Sequence, residues 1–144
     1  MSEKISLLYL CTGNACRSQM AEGWTRALKG LEIDVYSAGI ETHGLNPKAV
    51  KVMAEVGIDI SGQTSQHIDE FENAKIDYVI TVCKHAHETC PWFPANCSVM
   101  HVGFDDPPTL SPADAPEDVK LDGFRRVRDE IKVFVESLPR CLSQ

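Results

Sequence analysis

Cys11 opens the stretch Cys11-Thr-Gly-Asn-Ala-Cys-Arg17-Ser18, which sets a thiol, a glycine, a guanidinium and a hydroxyl at close, fixed spacing. The apolar run Ile5–Leu10 before it reads as a buried strand, and the pattern turns helical from Ser18 to about Lys29. A loop entering a helix N-terminus presents unpaired backbone N–H groups and the positive end of the helix dipole. Gly13 is expected to bend the backbone so that the N–H groups of Thr12, Gly13, Asn14, Ala15, Cys16 and Arg17 converge into an anion nest. The planar fork of Arg17 suits two oxygens of a tetrahedral oxyanion. In that setting Cys11 is expected to ionise more readily than an ordinary thiol and to attack the central atom of the bound oxyanion. Ser18 is placed to donate a hydrogen bond to the sulfur. A cysteine, five residues, then Arg-Ser between a strand and a helix is more specific than a merely structural turn requires. Cys16 has no activating feature of its own and reads as a packed, inert thiol.

A second group of chemistry-bearing residues lies at Cys83-Lys-His-Ala-His-Glu-Thr-Cys90-Pro91. Cys83 follows the most β-rich run of the chain and so falls at the same sheet edge as the Cys11 loop, where ligand sites of open parallel sheets gather. Two thiols seven positions apart, near a nucleophilic third, permit a relay. Cys83 can attack a Cys11 adduct and Cys90 can then attack the resulting disulfide at Cys83. Seven residues of helix rise about 10 Å, too far for a disulfide, so this segment must loop or unwind for Cys83 and Cys90 to pair. Pro91 and the polar residues between the cysteines favour that. Cys83, His85, His87 and Cys90 could instead be read as zinc ligands. Structural zinc sites, however, draw ligand pairs from separated segments, and four so close together at a strand end would be strained. His43, His67 and His101 read as surface or packing residues, and nothing assigns a role to Cys97 or Cys141.

The elements that must position these groups alternate. After the first strand and helix come a strand over Ile33–Ser37 and a helix begun by Pro47 and ended by Gly57, with Ala49, Val50, Met53 and Ala54 facing inward. A short helix is expected near Ile68–Asn73, strands at Ile76–Val82 and Ser98–Val102, and a proline-rich loop over Asp105–Pro116. A final helix covers Lys120–Leu138. Apolar stripes are expected at Met20, Ala21, Trp24, Ala27 and Leu28 in the first helix, and at Phe124, Val127, Ile131, Phe134 and Val135 in the last. The alternation predicts an α/β fold, a parallel sheet with helices on both faces. With 144 residues, no repeat and no linker, one domain over 1–144 is expected.

The net charge of −7 gives no general attraction to nucleic acid or anionic membrane, so any anion must be held by a local device against the overall field. No apolar run is long enough to span a bilayer, and Ile5–Cys11 is too short for a signal-peptide core. A cytoplasmic protein is expected. There thiols stay reduced, so six cysteines point to catalysis or metal binding rather than a disulfide framework.

The loop Cys11–Ser18 and its continuation into the helix resemble the signature of the low-molecular-weight protein tyrosine phosphatases. That resemblance implies a three-layer sandwich around a four-stranded parallel sheet, with the phosphate-binding loop after the first strand. The family also places an acid immediately before a proline on a distal loop, where it protonates the leaving group. Of Asp105 and Asp106, this pattern selects Asp106. Together with Cys83, Cys90 and Gly103-Phe-Asp-Asp-Pro, the loop is similar to the thioredoxin-coupled arsenate reductases. Further matching stretches are Gln19–Trp24, Tyr36–Glu41, His43–Pro47, Glu55–Ser61 and Arg126–Ile131. The resemblance implies that arsenate is the oxyanion, that Cys11, Cys83 and Cys90 pass a disulfide outward, and that thioredoxin reduces it. No organic cofactor is implied, and a monomer is expected. Some members of the family hold potassium near the loop through Asn, Glu, Ser and Asp. Asn14, Glu22 and Ser37 match three of these, while Gln66 replaces the aspartate and predicts weaker binding. The rival readings are a tyrosine phosphatase whose extra cysteines regulate Cys11, and a non-enzymatic metal or arsenite sensor.

Overall fold

The computed structural model describes residues 4–90, 92–94 and 96–143, apart from the side chains of His85, Thr89 and Ser143. Expectations resting on the first three residues, the His85 side chain or Pro91 lie outside the described residues. Four strands form one parallel sheet: β1 (Ile5–Cys11), β2 (Ile33–Gly39), β3 (Tyr78–Thr81) and β4 (Ser98–His101), in the order β2-β1-β3-β4. The helices are α1 (Arg17–Lys29), α2 (Pro47–Glu55), α3 (Lys84–Thr89) and α4 (Glu117–Glu136).

Leu7, Leu8, Tyr9 and Leu10 are all fully buried, so both faces of the sheet are covered along β1. This is why the strand reads as an uninterrupted apolar run rather than an alternation. On β2 the exposed Asp34 and Tyr36 alternate with buried Ile33, Val35 and Ser37, as an edge strand with one covered face requires. The helices α1 and α4 pack on each other. The Trp24 indole donates to the carbonyl of Arg128 at 3.1 Å, and Arg128 donates to the carbonyl of Val52 at 2.9 Å, drawing α2 into the same group.

Several expectations differ in detail. Ala27 and Leu28 are exposed, because burial on α1 covers every side from Ser18 to Thr25 and stops there. On α2 the buried positions are Ala49, Val52 and Met53, with Ala54 exposed. The run Ile76–Val82 pairs as a strand only over Tyr78–Thr81, and the proline-rich loop contains a short 3-10 turn at Pro107–Leu110. The expected helix near Ile68–Asn73 is a 3-10 turn, Ile68–Phe71, capped by His67.

Candidate active site

β1 and β3 both end at the same sheet edge, and the loops following them face each other there. Residues 12–16 run directly from β1 into α1, so the loop ends on a helix of 13 residues with its dipole aimed back at Cys11. The segment beyond β2 runs alongside. Ile40, Glu41, His43 and Asn46 donate their backbone N–H groups to the carbonyls of Cys11, Thr12, Gly13 and Ala15, at 3.2, 2.9, 2.9 and 3.1 Å. With these carbonyls held outward, the loop's own N–H groups are left to face inward. Gly39 is required by this arrangement, since a Cβ there would lie 2.4 Å from the Glu41 carbonyl oxygen and 2.8 Å from the Asn14 nitrogen.

The left-handed bend in the loop belongs to Asn14, at φ 51°, and not to Gly13 as the sequence suggested. Gly13 is glycine for another reason. The His43 ring lies over it, and a Cβ would come within 2.3 Å of His43 Nδ1. His43, read from sequence as a surface or packing residue, thus lines the cavity and pairs its Nε2 with Glu41 at 2.7 Å.

Asn14 is fully buried and holds the loop from within. Its Nδ2 donates to Ser18 Oγ at 2.8 Å, and its Oδ1 accepts from the Gln66 backbone at 2.6 Å and from Gln19 Nε2 at 3.2 Å. Gln19 also donates to the carbonyls of Asn14 and Thr64. Because Ser18 Oγ receives the Asn14 amide, its own proton is free for Cys11 Sγ, 2.8 Å away. The Asn14 N–H adds a second donor at 3.2 Å.

Cys11 is buried, and burial pushes its thiol above the ordinary value. The Ser18 hydroxyl and the backbone N–H groups of Ser18 and Asn14 pull it down, while nearby Cys83 pushes it up. The expected net lowering is therefore not what these surroundings give. Enclosure in a low-dielectric site outweighs three hydrogen bonds. Cys16 is pushed up to about 12, chiefly by burial, as an inert packed thiol requires.

Cys11, Thr12, Gly13, Ala15, Cys16 and Arg17 line one cavity of about 660 Å³ together with Cys83 and Asp106. Arg17 donates to the carbonyl of Phe104 at 3.1 Å and lies 3.7 Å from Asp106 Oδ1, tying the acid's loop to the nest. Asp106 opens the 3-10 turn at Pro107, whereas Asp105 is turned outward to Arg126. Cys83 caps the N-terminus of α3. Its sulfur accepts from the Ala86 N–H at 3.4 Å and lies 3.2 Å from Thr12 Oγ1. Cys90 closes the other end of α3 and donates to the Trp92 carbonyl at 2.8 Å, and burial pushes its thiol up. All six cysteines are free thiols.

Glu22, Ser37 and Asn14, the residues matched to a potassium site, are engaged with partners in the protein. The Glu22 carboxylate accepts from Ser37 Oγ on one oxygen and pairs with Arg26 on the other, each at 2.5 Å. Asn14 Oδ1 already holds two donors. The cationic partner of Glu22 is thus a guanidinium one helical turn along. Among the described residues no cluster of three or more His, Cys, Asp or Glu is arranged to hold a metal. Sequence reasoning missed His43, Gln19 and the strap over residues 40–46, since each acts through backbone or through contacts remote in sequence.

A thiol inside an anion nest, with an acid on the facing loop of the same parallel sheet edge, defines the cysteine-nucleophile class of phosphatase-like folds. The chain belongs to the low molecular weight phosphotyrosine protein phosphatase family, whose pattern matches residues 6–144. An arsenate reductase of Halalkalibacterium halodurans is 53% identical over 141 residues, covering 95% of this chain and 99% of that protein. A solved arsenate reductase in the phosphate binding state superposes with a TM-score of 0.76 at 36% identity, covering 93% of this chain and 95% of the other. One in the oxidized state gives 0.77 at 35% identity, with 92% and 95% covered.

Proposed function

We propose that this chain reduces arsenate to arsenite through Cys11, Cys83 and Cys90, and that a thioredoxin-type dithiol restores it. The observation that carries this reading is that Cys11 and Cys83 open into one cavity, with Cys83 against the hydroxyl of Thr12, the residue next to Cys11, while Cys83 begins and Cys90 ends a single short helix. Hydrolysis of a phosphate ester needs Cys11, Arg17 and Asp106, but has no use for the other two thiols. The relatives' identity as arsenate reductases supports the same reading.

Arsenate matches phosphate in shape and charge, so the nest and Arg17 hold it. The Cys11 thiolate attacks arsenic, and Asp106 protonates the departing oxygen, which leaves as water. The Cys83 thiolate then attacks Cys11 Sγ. The sulfur–arsenic bond breaks, its electron pair passes to arsenic, and arsenite leaves. Two thiols have become one Cys11–Cys83 disulfide, which balances the two electrons gained by arsenic. Cys90 next attacks Cys83, releasing Cys11 as thiolate. The external dithiol reduces Cys83–Cys90.

The substitution Cys83→Ala tests this. Multiple-turnover arsenite production should fall to background, while hydrolysis of an aryl phosphate by Cys11 keeps its wild-type order of magnitude. Undiminished arsenite turnover in the variant would remove Cys83 from the reaction and leave a phosphatase with regulatory thiols.

A further inference from the structure

Thr81, at the end of β3, is fully buried, and its hydroxyl meets two imidazoles. His87 Nδ1 of α3 lies 2.8 Å from Thr81 Oγ1 and His101 Nδ1 of β4 lies 2.9 Å from it. The rings stand 4.9 Å apart at 40°. His87 of α3 reaches back to the sheet through its hydrogen bond, and α3 is the segment that must unwind before Cys83 and Cys90 can pair. We propose that the Thr81 hydroxyl, shared by His87 and His101, is a latch that keeps α3 wound, and that its release lets Cys90 reach Cys83. This rests on the relay reading. In the step it controls, Cys90 Sγ bonds to Cys83 Sγ as the Cys11–Cys83 bond breaks. Cys11 leaves as thiolate, with no net oxidation.

The proton count explains how one hydroxyl serves both rings. A hydroxyl can donate to one ring and accept from the other, so two neutral imidazoles of opposite tautomer satisfy it. Lys84 and Glu88 on α3 pair with each other at 3.8 Å, and the His101 ring faces the Gly103 backbone.

Amide exchange over residues 84–90 in the reduced protein reads the latch without arsenate or any relay step. His87→Ala and Thr81→Val should each speed exchange about tenfold, the loss of one net hydrogen bond. Alanine is the better helix former, so faster exchange in H87A runs against propensity. His87→Asn, which keeps a polar atom near the Nδ1 position, should restore much of the protection. Transfer of the disulfide from Cys11–Cys83 to Cys83–Cys90 after one arsenate turnover should quicken by the same factor in H87A. Unchanged exchange in both H87A and T81V overturns the latch. Absence of a Cys83–Cys90 disulfide in the wild type would instead overturn the relay, with the exchange result standing apart.

Discussion

Removing the Ser18 hydroxyl tests how Cys11 is made reactive. In Ser18→Ala the sulfur loses its 2.8 Å donor, and Asn14 Nδ2 loses its acceptor. A hydrogen bond to a charged group contributes about 1.5–3 kcal/mol. The Asn14 and Ser18 N–H groups remain on the sulfur, which places the loss in the lower half of that range. It falls almost wholly on the thiolate, because a neutral thiol accepts weakly. At about 1.4 kcal/mol per factor of ten, the thiolate fraction should drop roughly ten- to fortyfold at any pH below the midpoint. The sign follows from the surroundings already described. Burial pushes Cys11 up and Ser18 is the strongest opposing group, so its removal moves the midpoint to higher pH. The assay is alkylation of reduced protein by iodoacetamide across about pH 6–10, with Cys11 followed by peptide mass among the six cysteines. The variant's rate should lag by that factor wherever the pH lies below both midpoints, and Ser18→Thr should track the wild type. A midpoint that stays in place or moves down would refute the assignment of Ser18 as donor to the thiolate.

Two further outcomes follow from packing. Gly13→Ala should weaken phosphate binding by about tenfold or more, because the new methyl meets the His43 ring. The double variant with His43→Gly should recover most of that affinity, as isothermal titration with inorganic phosphate would register, and failure of the rescue would mean that Gly13 is needed for its backbone after all. Burial raises Cys16 from 9.0 to about 12, so its neutral form stabilises the fold fully below the unfolded value. That contribution is lost progressively as pH climbs from 9 toward 12. Urea unfolding under reducing conditions should show a shallower loss of stability over that window in Cys16→Ala than in wild type.

The groups that act through local spacing were legible in the sequence. Cys11, Arg17 and Ser18 lie within one loop and one helical turn, so the strand–loop–helix pattern alone brings them together. The parallel sheet followed from alternation, whereas the seven-residue spacing said only that the segment between Cys83 and Cys90 must loop or unwind for them to pair; with both thiols free it is the helix α3. What escaped was set by partners far along the chain. The need for glycine at 13 comes from a ring thirty residues away, and the left-handed turn fell one residue later, on Asn14. The direction of the Cys11 shift also depended on how deeply the loop is enclosed, which no local pattern states. Glu22 and Arg26 are an ordinary i,i+4 pair, and their contact gives the Glu22 carboxylate a cationic partner within the chain.

At Ile40 and Glu41 the strap holds the anion loop by main-chain hydrogen bonds, and this governs how the protein can diverge. Substitutions at 40 and 41 change what the rim offers an incoming molecule without altering the cradle beneath it. Proline is the exception at 40, 41, 43 and 46, because it has no N–H to give. A lineage could thus reshape its choice of substrate along this rim while inheriting the chemistry intact.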